Sequence, residues 1–427
     1  MESTCSEERK DVQGNGIETE AAGREEIMER VRRLQARMSA VGMDAFLVTQ
    51  HVDLVYFTGS MQAGYAFIPV EGEPVFYVRR SLERAERESA VKVEALTSLR
   101  GFRAQLAGGY PSVFGGDEGN AAAKGIRIGT EMDVLPAATY AKLAEAVSGG
   151  NTSCSLIDGS SLVRTVRMIK SDWEVGRIEA AAAVVAEALE AALPMIKEGL
   201  QELELMARLE YEMRIRGHIG AMRTRSYNME IMTGMLGSGA AAAVPSAFDG
   251  PAGGLGLGPA APQSTSRKLI LRNEPILIDI GCCIDGYVID QTRTAVIGAL
   301  PDDLADAYAH SERIIRHAEA LMRPGTACDA VYAASLEDAA AAGLGEHFMG
   351  FGRNQVKFLG HGIGLEVDEW PVLARGFGNP LEPGMVLAVE PKFTFPGRGV
   401  VGIENSYLIT DAGCRQLTKS PEGLIIL

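Results

Sequence analysis

The chain has 427 residues, with 41 Lys and Arg against 56 Asp and Glu, a net charge of −15, 46% hydrophobic residues and 23% charged ones. That composition belongs to a globular protein with room for more than one cored domain, and it excludes a disordered chain or a small disulfide-stapled scaffold. The acidic excess repels phosphate backbones and anionic lipid, so neither nucleic acid nor a membrane is an expected partner, whereas divalent metal remains compatible with it.

Residues 1–24 read as a solvated acidic tail, without the apolar core of an export signal. Apolar spacing predicts a helix over Ile27–Met43, and DAFLVT, FIPV and PVFYVRR predict short strands. A further strand at RIGTE and a helix at TYAKLAEAV follow, and the unit closes near residue 166. From Ser171 an Ala-rich helix begins at a Ser/Asp start, and a second runs over Leu203–Arg216. Gly234–Ser266 is packed with Gly, Ala and Pro and reads either as a flexible surface loop or as the wall of a pocket. ILIDIG and YVIDQTRTAVIG, joined by CCIDG, predict a hairpin; helices follow at 302–322 and 329–342, then strands through MVLAVEPKFTF, GIENSYLIT and the C-terminus. Cys5, Cys154, Cys282, Cys283, Cys328 and Cys414 are scattered without a CxxC spacing, which indicates reduced thiols and a cytoplasmic location.

The chemistry gathers in the C-terminal half. Asp279 lies inside ILIDIG and Asp290 ends YVID, so the two arms of one hairpin can project both carboxylates from the same face. An ionised carboxylate in a strand core is too costly to leave unpaired, and two facing each other call for a cation. The competing assignments are a turn aspartate or an ion pair with Arg293. His361 stands among glycines in FLGHGIGLEVDE, as a structural histidine or as a ligand; Glu390 in MVLAVEP and Glu404 in VVGIENS repeat the pattern of an acid in an apolar strand. Together these residues point to one site rather than to independent accidents.

In the order Asp279-Ile280-Gly281, Gly286-Tyr287, Asp290-Gln291-Thr292-Arg293-Thr294, His361-Gly362-Ile363-Gly364, Glu390-Pro391 and Ile403-Glu404, the sequence resembles the creatinase/prolidase/aminopeptidase P family of pita-bread enzymes. DLVYFTGS and IKSDWEVGRIEAA extend the resemblance over about residues 27–427. It implies an α/β creatinase-like N-terminal domain at 25–166 and an α+β pita-bread catalytic domain at 167–427. It also implies two divalent metal ions, Mn ahead of Co, Zn or Fe for a mixed nitrogen and oxygen donor set. Asp279 would chelate one ion, Asp290 and Glu404 would bridge both, His361 would bind the second and Glu390 would complete the shell. A bridging water would be held as hydroxide beside a polarised carbonyl, with Glu390 shuttling its proton; Thr292 would orient a ligand carboxylate, or simply pack. The activity implied is Xaa-Pro aminopeptidase or dipeptidase cleavage of short peptides, in a homodimer.

The positions expected to face substrate depart from the family pattern. Lys357 stands four residues before His361 and Asp368 seven after it, where histidines are common, and Gly402 stands two before Glu404, where an arginine is usual. Upstream of Asp279, the stretch ending GLGPAAPQSTS replaces another histidine. Lys357 is a candidate catalytic cation for a developing oxyanion, or a solvated lysine. Arg223, Arg225, Tyr227 and Asp368 are candidate substrate-binding residues, the arginines as carboxylate clamps or as an exposed basic segment. Cys282 and Cys283 read as packing residues. These substitutions leave room for a hydrolase or lyase of a non-peptide small molecule, or for a non-catalytic binding member, against which the full ligand set argues.

Overall fold

A computed structural model describes residues 22–115, 125–149 and 154–427; most of the expected tail lies outside the described residues. The first helix, Arg24–Ala40, begins and ends slightly earlier than its apolar spacing predicts and buries Ile27, Val31, Leu34 and Met38 along one stripe. It covers a six-stranded sheet of β1 (Ala45–Val48), β2 (Gly64–Pro69), β3 (Val75–Val78), β4 (Lys92–Ala95), β5 (Ile126–Thr130) and β6 (Cys154–Asp158), in the order β4-β3-β2-β1-β5-β6. The β1–β2 and β2–β3 pairs are antiparallel and the others parallel. Both faces are covered: Phe46 and Val48 point into the core under the first helix, while Ala45 and Leu47 point into the opposite one.

The helix Ser160–Met168 runs through position 166, where the sequence places the domain boundary. Ser171 then caps the helix Asp172–Ala192 in a capping box, its Oγ accepting from Glu174 N while the Glu174 carboxylate accepts from Ser171 N. The small face of Ile178, Ala181, Ala182 and Val185 buries against the strands that carry the site.

The strands of this half are β7 (Gly234–Ser238), β8 (Ile276–Ile284), β9 (Tyr287–Val296), β10 (Phe358–Gly362), β11 (Glu369–Ala374), β12 (Val386–Val389), β13 (Lys392–Phe395), β14 (Gly399–Gly402), β15 (Asn405–Thr410), β16 (Gly413–Gln416) and β17 (Ile425–Ile426), and it is β8 and β9 that the helix covers. They form a sheet β17-β9-β8-β7, a sheet β11-β10-β12-β15-β16 and a ribbon β13-β14. The helices Asp302–Leu321 and Cys328–Ala341 close the second core.

Part of the expected Gly234–Ser266 loop is strand. β7 pairs with β8 from Gly234↔Ile280 to Ser238↔Ile276, and Gly234 is required there because a Cβ would stand 2.3 Å from Asp279 O. Part of the rest is packed, with Ala242, Ala243 and Ala252 buried against Met235, Leu277 and Val400, while Leu255, Leu257 and residues 259–262 are exposed as a surface loop. Cys282 and Cys283 are buried in apolar clusters, and the five described cysteines are free. Among the described residues no helix is long and apolar enough to cross a membrane.

Candidate metal centre

The hairpin does what its alternation predicts. In the β8–β9 register Asp279 lies opposite Thr292 and Asp290 opposite Gly281, so both aspartates and Thr292 share one face. Glu390 and Glu404 sit just beyond strand ends rather than within strands. Glu390 follows β12 and its N–H donates to Leu359 O at 3.0 Å; Glu404 lies between β14 and β15 and exchanges backbone hydrogen bonds with Thr292 at 3.2 and 3.4 Å. His361 is on β10, between β11 and β12. The glycines beside it serve those neighbours: a Cβ at 360 would stand 2.1 Å from Ala388 O, and one at 362 would stand 2.4 Å from Trp370 O.

The structure brings all five expected ligand residues into one cluster. Donor atoms of Asp290, His361 and Glu404 lie within 4.8 Å of one another, and so do those of Asp279, Glu390 and Glu404. Asp279 is the most open, with 16% of its side chain exposed, while Glu404 is almost wholly buried. His361 Nδ1 is 3.1 Å from Gly362 O and 3.5 Å from Asp368 Oδ1, so a proton on Nδ1 leaves Nε2 free, 3.8 Å from Glu390 Oε1. Burial alone would push this imidazole down, but Asp368, Glu390 and Glu404 outweigh it and raise its pKa.

Two neighbours fix Glu404. Thr292 Oγ1 donates to Glu404 Oε2 at 2.7 Å. Arg293, fully buried, is not the ion-pair partner of an aspartate: its guanidinium donates to the carbonyls of Thr292, Glu404, Ser420 and Pro421 and to Asn405 Oδ1, which uses all five of its N–H groups. It ties the Glu404 turn to β9 and leaves the carboxylates to other cations.

One of those cations is Lys392, which the motif reading passes over. Its Nζ, with the side chain 0% exposed, lies 3.0 Å from Asp279 Oδ2, 2.5 Å from Glu390 Oε2 and 3.0 Å from Glu404 Oε2. Burial would strip its proton, yet the three carboxylates hold the ammonium charged, and Lys392 in turn leads His361 and Thr292 in keeping Glu404 ionised against burial. Asp290 gains least from it. Burial, with Glu404 and Asp279 alongside, pushes its carboxyl far above the ordinary range, which marks an acid short of a positive partner.

The remaining candidates are dispersed. Lys357 is exposed at the entry to β10. Asp368, at φ +65°, borders His361. Tyr227 is 91% exposed, and Arg223 O accepts from Val367 N. Arg225 is spent on Asp53 at 2.9 Å and Asp133 at 2.7 Å, both in the N-terminal half. It belongs to a buried network in which Arg167 meets Asp53, Glu366 and Glu369, and Lys170 meets Glu369 at 3.1 Å. This network clasps the segment after His361 to the helices and turns of the N-terminal half.

The donor chemistry fits a divalent ion at the first triad. Glu404 Oε2 is occupied by Thr292 and Lys392, while Glu404 Oε1 is buried with no hydrogen-bond partner among the described residues. An ion between Asp290, His361 and Glu404 would satisfy that oxygen and supply the charge that Asp290 lacks.

Residues 176–411, more than half of the chain, match metallopeptidase family M24, and residues 30–169 match the creatinase/prolidase N-terminal domain. The chain belongs to metallopeptidase family M24. Its catalytic half therefore has the pita-bread fold, and the family is metal-dependent. The uncharacterized peptidase YqhT of Bacillus subtilis is 29% identical over 403 residues, covering 93% of this chain and 100% of that one. The Xaa-Pro dipeptidase of Pyrococcus horikoshii is 28% identical over 400 residues, covering 93% and 99%. Among solved structures, the Xaa-Pro dipeptidase from Bacillus anthracis superposes with a TM-score of 0.77 at 27% identity, covering 94% of this chain and 100% of that one. The prolidase from Pyrococcus horikoshii gives 0.73 at 27%, covering 93% and 100%.

Proposed function

We propose that this protein is a metal-dependent Xaa-Pro peptidase, cleaving short peptides as a dipeptidase or aminopeptidase. The observation that carries the reading is the buried convergence of Asp290, His361 and Glu404, with one Glu404 oxygen left unpartnered. End-to-end similarity to relatives named Xaa-Pro dipeptidases supports the substrate class.

A divalent ion held by Asp290, His361 and Glu404 would polarise the scissile carbonyl and lower the pKa of water. Glu390 is the acid–base group by position, because Lys392 engages Oε2 and leaves Oε1 free to take a proton from attacking water and return it to the leaving nitrogen. Asp368 steadies the His361 ring through Nδ1. Lys357 is the candidate cation for the developing oxyanion, and Arg223 and Tyr227 are the candidates for binding the peptide termini. Arg225 is committed to the domain junction. The reading extends to manganese as the ion, from the mixed donor set; to a cytoplasmic location, from the free cysteines; and to a homodimer, from the family resemblance.

The test is a panel of Xaa-Pro dipeptides, longer Xaa-Pro peptides and proline-free dipeptides, incubated with Mn²⁺-loaded protein. Free proline should appear from the Xaa-Pro dipeptides, cease on chelation and resume on adding Mn²⁺. Protein that binds Mn²⁺ and cleaves no Xaa-Pro peptide would refute the substrate assignment and favour a non-peptide small molecule.

A further inference from the structure

Across the β13–β14 ribbon Lys392 pairs directly with Gly402, and a Cβ at 402 would stand 2.6 Å from Lys392 Cγ and 2.7 Å from Pro391 O. The bare backbone at 402 is what lets the lysine stem pass beneath the ribbon into the acidic cluster. A side chain there, such as the arginine of the family pattern, would claim the same volume. The departure at 402 and the buried lysine are thus two halves of one arrangement.

At the end of that stem the geometry is a tripod. An ammonium has three protons and accepts nothing, and here its nitrogen meets one oxygen each of Asp279, Glu390 and Glu404 at 3.0, 2.5 and 3.0 Å. Those same residues are spaced closely enough to hold an ion, yet the space between them is filled by Nζ. Evicting Lys392 would leave its ammonium unpaired beneath a ribbon in which all four β13 residues are buried. The triad of Asp290, His361 and Glu404 is the opposite case, because Glu404 Oε1 has no partner among the described residues.

We infer that Lys392 permanently occupies one of the two cation positions offered by the acidic cluster, so that the centre takes a single divalent ion, at Asp290, His361 and Glu404. The inference rests on the metal-dependent reading of this site and sets its ion count at one rather than two. One ion and Lys392 together bring three positive charges to four carboxylates; two ions and Lys392 would bring five.

The experiment is metal counting on the full chain, stripped with chelator, reloaded with excess Mn²⁺, desalted and analysed by mass spectrometry and electron paramagnetic resonance. Wild type should hold one Mn²⁺ per chain with the six-line spectrum of an isolated ion. Lys392→Ala should hold two, with the broadened spectrum of an exchange-coupled pair. Two ions in wild type would overturn the inference and leave the peptidase reading standing, as would one ion in both proteins. No bound ion in wild type would overturn both. If Lys392→Ala does not fold, Lys392→Met, which keeps the apolar stem and removes only the ammonium, takes its place in the same comparison, and two ions in wild type overturn the inference without either variant.

Discussion

Replacing Glu369 by Gln probes the junction that clasps the His361 segment to the N-terminal domain. Glu369 is buried, accepts from Arg167 at 2.5 Å and from Lys170 at 3.1 Å, and its carboxyl is held down at about 2, Arg167 and Lys170 outweighing the burial that would raise it. Against an ordinary value of about 4.5, the difference at about 1.4 kcal/mol per pH unit amounts to roughly 3–4 kcal/mol of stability at neutral pH. Because the folded-state value is the depressed one, this contribution is complete above the unfolded pKa and is lost as pH falls through the folded one; somewhat more than half is gone by pH 3. Trp173 and Trp370 are the only tryptophans, and both lie at the junction under arginines, Arg30 near Trp173 and Arg164 over Trp370. Urea unfolding followed by their emission therefore reports on this region. Glu369→Gln should be roughly 3–4 kcal/mol less stable than wild type at pH 7 and approach it between pH 4.5 and 3. A deficit below about 1 kcal/mol at pH 7, or one that does not shrink with acid, would refute the electrostatic account.

Thr292→Val removes the donor to Glu404 Oε2 while keeping the shape, and should weaken Mn²⁺ binding about 10- to 100-fold by isothermal titration with little change in stability. Gly281→Ala would set a Cβ 2.1 Å from Met222 Sδ and 2.8 Å from Ile289 O; it should cost about 1–3 kcal/mol, part of it recovered in the double variant with Met222→Ala, as read from denaturant midpoints. Arg293→Lys cannot reproduce five donors to four carbonyls and Asn405, and should lower both stability and Mn²⁺ affinity; a variant that binds Mn²⁺ as wild type does would show that the Glu404 turn holds itself.

The site was legible where chemistry and periodicity coincide. Asp279 and Asp290 stand out because a carboxylate in an apolar β run needs a counter-charge, and a hairpin with side-chain period two puts them on one face. Glu390 and Glu404 stand out as acids in apolar runs, although both lie just beyond strand ends, and His361 stands out among its flanking glycines. Lys392 offered a comparable signal, a charge two residues after Glu390 inside a buried run, but a lysine near a strand end reads equally well as a solvated edge, and its partners Gly402 and Asp279 are distant in sequence. The junction network left no local trace, because Asp53, Arg167, Arg225, Glu366 and Glu369 are brought together only by the packing of the two halves. The strand β7 was hidden by its glycines, whose conformational freedom argues for a loop until β8 supplies the hydrogen bonds. Arg225 illustrates the reverse error of expectation: a carboxylate-binding arginine meets protein carboxylates, Asp53 and Asp133, before any ligand arrives.

The most direct test of the metal centre is anomalous diffraction from crystals of the full chain soaked in Mn²⁺. The account predicts a single strong peak bounded by Asp290, His361 and Glu404, with Lys392 Nζ still among Asp279, Glu390 and Glu404. A peak elsewhere, or none at these residues, would contradict it.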